Sequence, residues 1–388
     1  MARIADITAY RVPPRWIFVR VRTDDGRLGW GEAIVPKRAA AVLGAIDDLA
    51  GNVTGEDAGR VEELWQRMRL GGFFRDGPVL CTAAAAIEHA LWDIKARGYG
   101  APVYDLLGGA VRETVRLYAW VGGDRPDDVV AQVKVRLDQG FSAVKMNATA
   151  ELDLLDRSAR VDEVVARVAA VREAYGDSVD IALDCHGRVH RAMAKALLRE
   201  LEQFNLLWLE EPLPPGHDDL LPVLAAVAGR TPIATGERVL TRADFARLLE
   251  SRAVDVIQPD VSLTGLFELE KLCRMAEAYD VAVAPHCPNG PISLAASLQV
   301  ACCAGNVVIQ EQSVGLHYHG GYAGLPEGEM FDYLRDPAPL TPRDGHLARP
   351  DGPGLGIDVD QDAVEARRTD WQLPDPVWRL TDGRLAEW

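Results

Sequence analysis

Seven ionisable side chains follow one another along the middle of the chain, each at the end of a predicted strand. From Asp184 onward, consecutive members lie 23 to 27 residues apart, and each ends a short apolar run typical of a β-strand. The interval is that of one strand followed by one helix, which predicts that the side chains gather at one end of a common sheet. The set consists of Lys145, Asp184, Glu210, Glu237, Asp260, His286 and Glu311.

The first three carboxylates of this set lie on adjacent predicted strands. Asp184, Glu210 and Glu237 offer hard oxygen ligands, which suit Mg²⁺ with positions left open for substrate and water. Three like charges do not share a site unless something compensates them, and a divalent cation is the simplest compensation. Each residue taken singly could be an ordinary strand-end carboxylate, but the repetition favours a Mg²⁺ site.

Two histidines are candidates for proton transfer. Asp260 lies one strand-helix unit before His286 and could orient its imidazole, which leaves the other ring nitrogen free to take a proton. His186 follows Asp184 by two residues, so a continuing strand pleat would point both to the same side. The alternatives are a structural role for His286 and a solvated loop position for His186.

Lys145 and Asn147 share a strand and, by the same alternation, one face of it. Lys145 could contact a substrate carboxylate, whereas Asn147 is predicted to bind substrate by hydrogen bonds but cannot act as a base near neutral pH. Proton abstraction would therefore have its base on one face of the substrate only. This argues against a racemase, which ordinarily needs a base on both faces.

The elements that position these residues differ between the two ends of the chain. Residues 4–10, 17–23 and 28–32 alternate like strands, with an Asp-Gly turn at 25–26, and apolar residues over 80–97 recur at helical spacing. We predict a small α+β domain over residues 1–112. Residues 321–388, rich in Gly and Pro and then in Trp, are predicted to be a segment that packs back onto it.

The part between, residues 113–320, contains eight short β-rich runs separated by helical patterns. Strands that alternate with helices predict right-handed crossovers and a parallel sheet, and eight of them suit a βα barrel. A doubly wound open sheet is the alternative. In a barrel, the carboxyl ends of the strands converge on one mouth, where the seven ionisable residues would meet.

Composition excludes several classes of partner. The chain has 42 Lys and Arg against 58 Asp and Glu, a net charge of −16, and no basic run, which argues against nucleic acid and anionic membranes. We expect no membrane span, no disulfide among six irregularly spaced cysteines, and a cytoplasmic location. The Gly-Gly sequence at 108–109 and the Gly-Leu-Gly sequence at 354–356 do not lie between a predicted strand and a predicted helix, as a nucleotide-binding loop would.

Several short motifs now suggest a family. LDCHGR (183–188), WLEEP (208–212), TGER (235–238), QPD (258–260), APHCP (284–288) and QEQS (310–313) resemble the mandelate racemase subgroup of the enolase superfamily. The likeness extends to YRVPPRW (10–16), WVGGDRP (120–126), PGLG (353–356) and PVW (376–378), so it spans nearly the whole chain.

The resemblance implies a modified (β/α)₇β barrel capped by the N-terminal α+β domain, one Mg²⁺ per subunit, and a homo-oligomer. It implies that Asp184, Glu210 and Glu237 bind the metal. His286 with Asp260 would be the base, and His186 the acid.

The same resemblance assigns residues to the substrate. It implies that Glu311 contacts substrate near the metal, and that loops of the capping domain, including Arg15 and Arg75, set specificity. The reaction it implies is dehydration of an aldonate, with galactonate as the expected substrate and gluconate or a pentonate as alternatives. A racemase and a non-catalytic sugar-acid binding protein are the more distant alternatives.

One stretch departs from the family pattern. After Asp260 the chain reads VSLTGLF rather than a Gly-Gly pair with small residues. We expect the bulky Leu266 and Phe267 to reshape the mouth of the site.

Overall fold

The computed structural model describes residues 2–123, 125–149, 152–315, 328–370, 377–380 and 382–386.

A three-stranded antiparallel sheet opens the chain. The strands are β1 (Ile4–Val12), β2 (Trp16–Thr23) and β3 (Leu28–Ala33), paired in that order. The predicted turn joins β2 to β3, and Gly26 at its corner has φ of +87°, a conformation that glycine adopts without steric cost.

Four helices follow this sheet: α1 (Ala39–Val53), α2 (Val61–Leu70), α3 (Pro78–Tyr99) and α4 (Val103–Leu106). The long helix α3 lies directly on β3. A Cβ atom at Gly31 would stand 1.8 Å from the carbonyl oxygen of Ala86, and one at Gly29 would stand 2.1 Å from that of Ala90. Only glycine permits this close approach, which brings the buried face of α3 against the sheet.

Eight parallel strands form the second and larger sheet, and each corresponds to one predicted run. Hydrogen bonds join them in the order β10-β9-β8-β7-β6-β5-β4-β11, and a bridge between Val283 and Val307 joins the two ends. The sheet is thus a closed barrel. Its strands are β4 (Thr114–Val121), β5 (Ala143–Asn147), β6 (Asp180–Asp184), β7 (Trp208–Glu210), β8 (Ile233–Thr235), β9 (Val256–Ile257), β10 (Ala282–Val283) and β11 (Gln310–Glu311).

Every connection between consecutive barrel strands contains helix. The helices are α5 (Pro126–Asp138), α6 (Ser158–Tyr175), α7 (Arg191–Leu201), α8 (Leu221–Ala225), α9 (Arg242–Glu250), α10 (Val261–Thr264), α11 (Leu266–Glu277) and α12 (Pro291–Cys303). Seven helical connections between eight strands confirm the predicted (β/α)₇β architecture, and the open-sheet alternative is wrong. Within the described ranges, no helix is both long and apolar enough to cross a bilayer.

The barrel interior holds a layer of mostly small apolar side chains below its mouth. Ala143, Ala182, Ala234 and Ala284 pack there with Tyr118, Trp208, Val256 and Ile309. Residues two positions further along a strand point to the same side. This alternation places the next inward residues, which include Lys145, Asp184, Glu210, His286 and Glu311, directly above the apolar layer.

The C-terminal region contacts both parts of the molecule. Strand β12 (His346–Ala348) pairs antiparallel with β4, whereas Tyr333 packs edge-on against Trp16 and Phe18 of β2. After helix α13 (Gln361–Ala366), the backbone N–H of Thr369 donates to the backbone oxygen of Arg11 in β1 at 2.9 Å. In the final described stretch, Arg384 pairs with Asp153 at 2.7 Å.

The boundaries 1–112, 113–320 and 321–388 remain predictions. Of the predicted C-terminal segment, residues 321–327, 371–376, 381 and 387–388 lie outside the described residues.

Candidate active site

Three carboxylates meet at the carboxyl ends of β6, β7 and β8. One oxygen each from Asp184, Glu210 and Glu237 lies within 4.8 Å of the others. Although His186 Nε2 lies 3.1 Å from Asp184 Oδ2, that buried oxygen has no hydrogen-bond partner in the described part of the chain. Hard oxygen ligands at this separation, one of them unsatisfied, fit a divalent cation such as Mg²⁺.

Lys145 is the cation that the chain itself supplies to this cluster. Its Nζ lies 2.8 Å from Glu210 Oε1, 2.9 Å from Glu311 Oε1 and 3.7 Å from Asp184 Oδ2. Burial lowers the pKa of Lys145, but Glu210 and Glu311 outweigh it and hold that pKa well above its ordinary value. One ammonium therefore neutralises only part of the carboxylate charge, which leaves room for a second cation.

Glu210 is held from both sides. Its Oε1 accepts from Lys145, and its Oε2 accepts a 2.8 Å hydrogen bond from the indole Nε1 of Trp208. Burial, together with the charge of Asp184, raises the pKa of Glu210. The indole bond fixes the orientation of a carboxylate that costs free energy to ionise in this setting.

His286 and Asp260 form a hydrogen-bonded pair beside the carboxylates. The imidazole Nδ1 lies 2.8 Å from Asp260 Oδ2, so Nδ1 donates and Nε2 faces the barrel mouth. Asp260 is itself held by Ser262, whose backbone N and Oγ each donate to Oδ1 at 2.7 Å, and by Asn289 Nδ2 at 3.1 Å from both oxygens. The carboxylate thus fixes the tautomer and the direction of the ring, as a general base requires.

The second ring nitrogen of His286, Nε2, faces two acidic side chains. His286 Nε2 lies 3.3 Å from Glu237 Oε2 and 3.9 Å from Glu311 Oε2. Burial lowers the pKa of His286, but Glu237, Glu311 and Asp260 together raise it to about 10. Burial raises the pKa of Glu237 to about 8, against the effect of His286. A cation among the carboxylates would oppose the negative charge that raises the pKa of His286.

His186 reaches the cluster by a turn rather than by a continuing strand. The strand β6 ends at Asp184, whose Oδ1 accepts the backbone N–H of His186 at 2.7 Å, and His186 has φ of +49°. The predicted proximity is present, but the pleat is not its cause. Burial, with smaller effects from Lys145 and Arg188, lowers the pKa of His186 to about 3.

The three predicted substrate-binding residues differ in position. Asn147 ends β5 opposite Asp184 in the strand register, and its Oδ1 lies 3.4 Å from Trp120 Nε1. Arg15 donates to the backbone oxygen of Pro288 at 2.6 Å, two residues beyond His286. Arg75 is exposed and donates to Gly72 within its own loop at 2.9 Å, so the structure does not bring it to the cluster. Their role in binding remains a prediction.

Leu266 and Phe267 do not line the mouth. Leu266 is fully buried, and Phe267 packs against Trp92 of α3 with ring centroids 5.5 Å apart. Their size serves the contact between α11 and α3. The expectation that they reshape the mouth is therefore wrong.

An ion pair that the sequence did not reveal supports the turn at His186. Glu211 Oε2 pairs with Arg238, and its Oε1 accepts a 2.5 Å bond from Thr235 Oγ1. A Cβ atom at Gly187 would stand 2.4 Å from Arg238 Nη2, so the guanidinium lies directly against the turn. In the sequence, the adjacent Glu-Glu at 210–211 and Glu-Arg at 237–238 were the features from which this ion pair could have been predicted.

Known proteins are similar to this chain over the full length of both partners. The chain is 46% identical to D-galactonate dehydratase of Ralstonia pickettii (strain 12J) and 45% identical to that of Pectobacterium atrosepticum, in both cases over 390 aligned residues and 100% of each chain. An enolase from Agrobacterium radiobacter, solved with Na and L-malate bound, has TM-score 0.89 at 30% identity and covers 99% of both chains.

Two family models divide the chain as the fold does. Residues 8–108 match the mandelate racemase/muconate lactonizing enzyme N-terminal domain, and residues 128–363 match the enolase C-terminal domain-like family. Together they cover the antiparallel sheet with α1 to α4 and nearly all of the barrel. The chain therefore belongs to the mandelate racemase/muconate lactonizing enzyme family of the enolase superfamily.

Proposed function

We propose that the chain is a hydro-lyase that dehydrates D-galactonate, with Mg²⁺, to 2-keto-3-deoxy-D-galactonate and water. The observation that carries the proposal is the pairing of His286 with Asp260 beside three carboxylates suited to a divalent cation. The relatives named D-galactonate dehydratase, identical at nearly half of all positions over the full chain, support the choice of substrate.

Asp184, Glu210 and Glu237 would hold the cation. A bound Mg²⁺ would supply positive charge that offsets the negative charge developing on the substrate carboxylate as C2 loses its proton. Lys145 would add to this stabilisation from the side of Glu210 and Glu311. The Agrobacterium relative was solved with Na and L-malate bound, which supports binding of a cation and of a hydroxy acid by this fold.

His286 would remove the proton from C2 of the aldonate. Its Nδ1 is committed to Asp260, so only Nε2 is available, and the proton on C2 must face it. Glu311, held by Lys145 and by the backbone N–H of Cys287 at 2.8 Å, would contact the substrate beside this ring. The electron pair left at C2 then forms the C2–C3 double bond.

His186 would deliver a proton to the departing C3 hydroxyl, which requires the bound, negatively charged substrate to raise the pKa of His186 from about 3. It enters from β6, whereas His286 enters from β10, four strands away around the barrel. One proton is taken from C2, one is given to the C3 hydroxyl, and water leaves. The resulting enol tautomerises to the 2-keto-3-deoxy acid, so atoms and electrons balance without a redox cofactor.

The identity of the aldonate is tested by a substrate screen. Five- and six-carbon aldonates are incubated with the protein and Mg²⁺, and 2-keto-3-deoxy acid is measured after reaction with semicarbazide. We expect turnover of D-galactonate. Turnover of gluconate or a pentonate instead would keep the chemistry and overturn the substrate, and racemisation at C2 without loss of water would overturn the dehydratase.

Cellular setting and assembly are further parts of the proposal. All six cysteines are buried and free, which suits the reducing cytoplasm. The family resemblance supports a homo-oligomer, and the nearly fully exposed Phe73 and Phe74 offer apolar surface for it. Light scattering coupled to gel filtration would give the number of subunits.

A further inference from the structure

Two buried carboxylates of the N-terminal half take no part in the site as described. Glu32 on β3 is 0% exposed and Glu88 on α3 is 2% exposed. Both accept hydrogen bonds from backbone N–H groups of the barrel rather than from a lysine or arginine, and Glu88 Oε1 also accepts one from Trp92 Nε1 of its own helix at 2.8 Å. In its ionised form, a buried carboxylate held in this way makes charge-assisted hydrogen bonds, which are stronger and shorter than neutral ones.

Glu32 binds the beginning of α12. Its Oε1 accepts from the backbone N of Gly290 at 2.6 Å, and its Oε2 accepts from Ile292 at 3.1 Å and Ser293 at 3.0 Å. These N–H groups have no partner within the helix, and the helix dipole favours a negative charge beside them. Because Gly290 follows His286 by only four residues, Glu32 fixes the far end of the loop that carries the base.

Glu88 binds the beginning of α11 in the same way. Its Oε2 accepts from the backbone N of Leu266 at 2.9 Å, and its Oε1 accepts from Phe267 at 3.0 Å. The adjacent His89 holds the other end of this connection, since its Nε2 donates to the backbone oxygen of Val261 at 3.1 Å. Val261 directly follows Asp260, so helix α3 fixes the loop that carries the partner of the base.

The two loops are joined to each other at the site. Asn289, next to Gly290, donates from Nδ2 to both carboxylate oxygens of Asp260. Arg15, also from the N-terminal half, donates to Pro288 in the same loop. A shift at the start of either helix is therefore transmitted to the Asp260–His286 hydrogen bond.

We propose that Glu32 and Glu88 are positioning residues that set the placement of the Asp260–His286 pair from outside the barrel. This proposal rests on the proposed function, in which His286 removes the C2 proton. Proton transfer is sensitive to such placement, because a displacement of about 1 Å costs about a hundredfold in rate. The N-terminal domain would thus serve the chemistry as well as cover the substrate.

The test compares E32Q and E88Q with wild type. Glutamine keeps the size of the side chain and one acceptor oxygen, but its amide NH₂ would face backbone donors. We expect kcat to fall about 10- to 100-fold with KM changed less than about threefold, and the isotope effect on C2-deuterated substrate to rise as proton removal becomes slower. E270Q is the matched control, because Glu270 on α11 pairs at 2.8 Å with Arg274 of the same helix.

A double variant separates positioning from a merely structural role. Both carboxylates act on one pair, so the loss of kcat in E32Q/E88Q should be smaller than the product of the single losses. The free energies of unfolding should instead add, because Glu32 and Glu88 share no hydrogen-bond partner. Multiplicative losses in kcat, or single variants with wild-type kcat per folded molecule, would overturn the proposal. If E32Q does not fold, E32D, which keeps the charge, is compared with E88Q.

Failure of the proposed function would be distinguishable. If wild type turns over no aldonate, hydrogen exchange of residues 260–267 and 286–293 and the rate of His286 modification by diethyl pyrocarbonate are measured instead. We expect E32Q to accelerate exchange in both segments and to change the modification rate of His286 at least threefold, with wild-type rates in E270Q. Acceleration confined to residues 290–293 with an unchanged His286 would show a local cap only and overturn the positioning role.

Discussion

Replacement of Glu32 by glutamine should change the pH dependence of stability in a calculable way. Burial raises the pKa of Glu32, and the backbone N–H groups of Ser293, Gly290 and Ile292 only partly oppose it. The charge of Asp260 adds a further increase, and the result is a shift from 4.5 to about 7. The folded protein therefore keeps a proton on Glu32 at pH values where the unfolded chain has already released it.

The sign and size of the effect follow from this difference. The contribution of Glu32 to the free energy of unfolding is complete below its unfolded pKa of 4.5 and is lost as the pH rises through about 7. With 1.36 kcal/mol per pKa unit, the loss is about 3 kcal/mol in total and about 2.5 kcal/mol between pH 5 and pH 8. Glutamine does not titrate, so E32Q lacks this loss.

The assay is urea unfolding of wild type and E32Q at several pH values between 5 and 8. EDTA is present throughout, because cation binding depends on pH and would add its own stabilisation. We expect the free energy of unfolding of E32Q, relative to that of wild type, to be lowest at pH 5 and to rise by about 2.5 kcal/mol toward pH 8. A difference that is constant with pH, or that widens as the pH rises, would refute the pKa assignment.

Three further outcomes follow from the site. H286N should lose both turnover and exchange of the C2 proton with deuterated solvent while it still folds and binds Mg²⁺; retained exchange, seen by NMR, would show that another group is the base. H186N should keep C2 exchange but lose dehydration, and loss of both would refute its role as the acid alone. W208F removes the indole donor to Glu210, so Mg²⁺ affinity by calorimetry should fall about tenfold, and an unchanged affinity would refute this support.

The sequence predicted the parts of the site that depend on strand order. In a parallel barrel, the residue that ends each strand is determined by the run before it, so Lys145, Asp184, Glu210 and His286 could be brought together without any knowledge of the loops. The bond between His286 and Asp260 also follows from register, since the two lie side by side in a parallel bridge. Periodicity carries this information because every strand contributes by the same rule.

Residues placed by turns escaped the same reasoning. Glu211 follows a strand-end residue, and alternation would point it away from the mouth, yet its φ of +46° turns it toward Thr235 and Arg238. Arg75 was predicted from a family analogy that leaves the path of its loop open. Side-chain direction in a turn depends on individual φ and ψ values, which a hydrophobic pattern does not encode.

Contacts with backbone were the hardest to foresee. Glu32 lies 258 residues before Gly290, and Glu88 lies 178 residues before Leu266. Their partners are N–H groups that every residue except proline carries, so no pair of residue types marks these contacts in the sequence. A buried carboxylate in an apolar run, such as GWGEA or AAIEHA, signals only that some donor must be present.

The positions of these contacts suggest how one scaffold can serve several substrates. The proposed cation ligands lie at the ends of barrel strands, and we propose that Glu32 and Glu88 position the Asp260–His286 pair through the first turns of α12 and α11. By contrast, Arg75 donates to Gly72 within its own loop, and within the described residues it has no hydrogen bond or ion pair with either set, so changes there need not disturb proton abstraction. On this proposal, the chemistry depends on buried elements and strand register, whereas the loop that carries Arg75 is free to vary. We therefore expect changes in the loop that carries Arg75, unlike changes at Arg15, to leave C2 exchange intact.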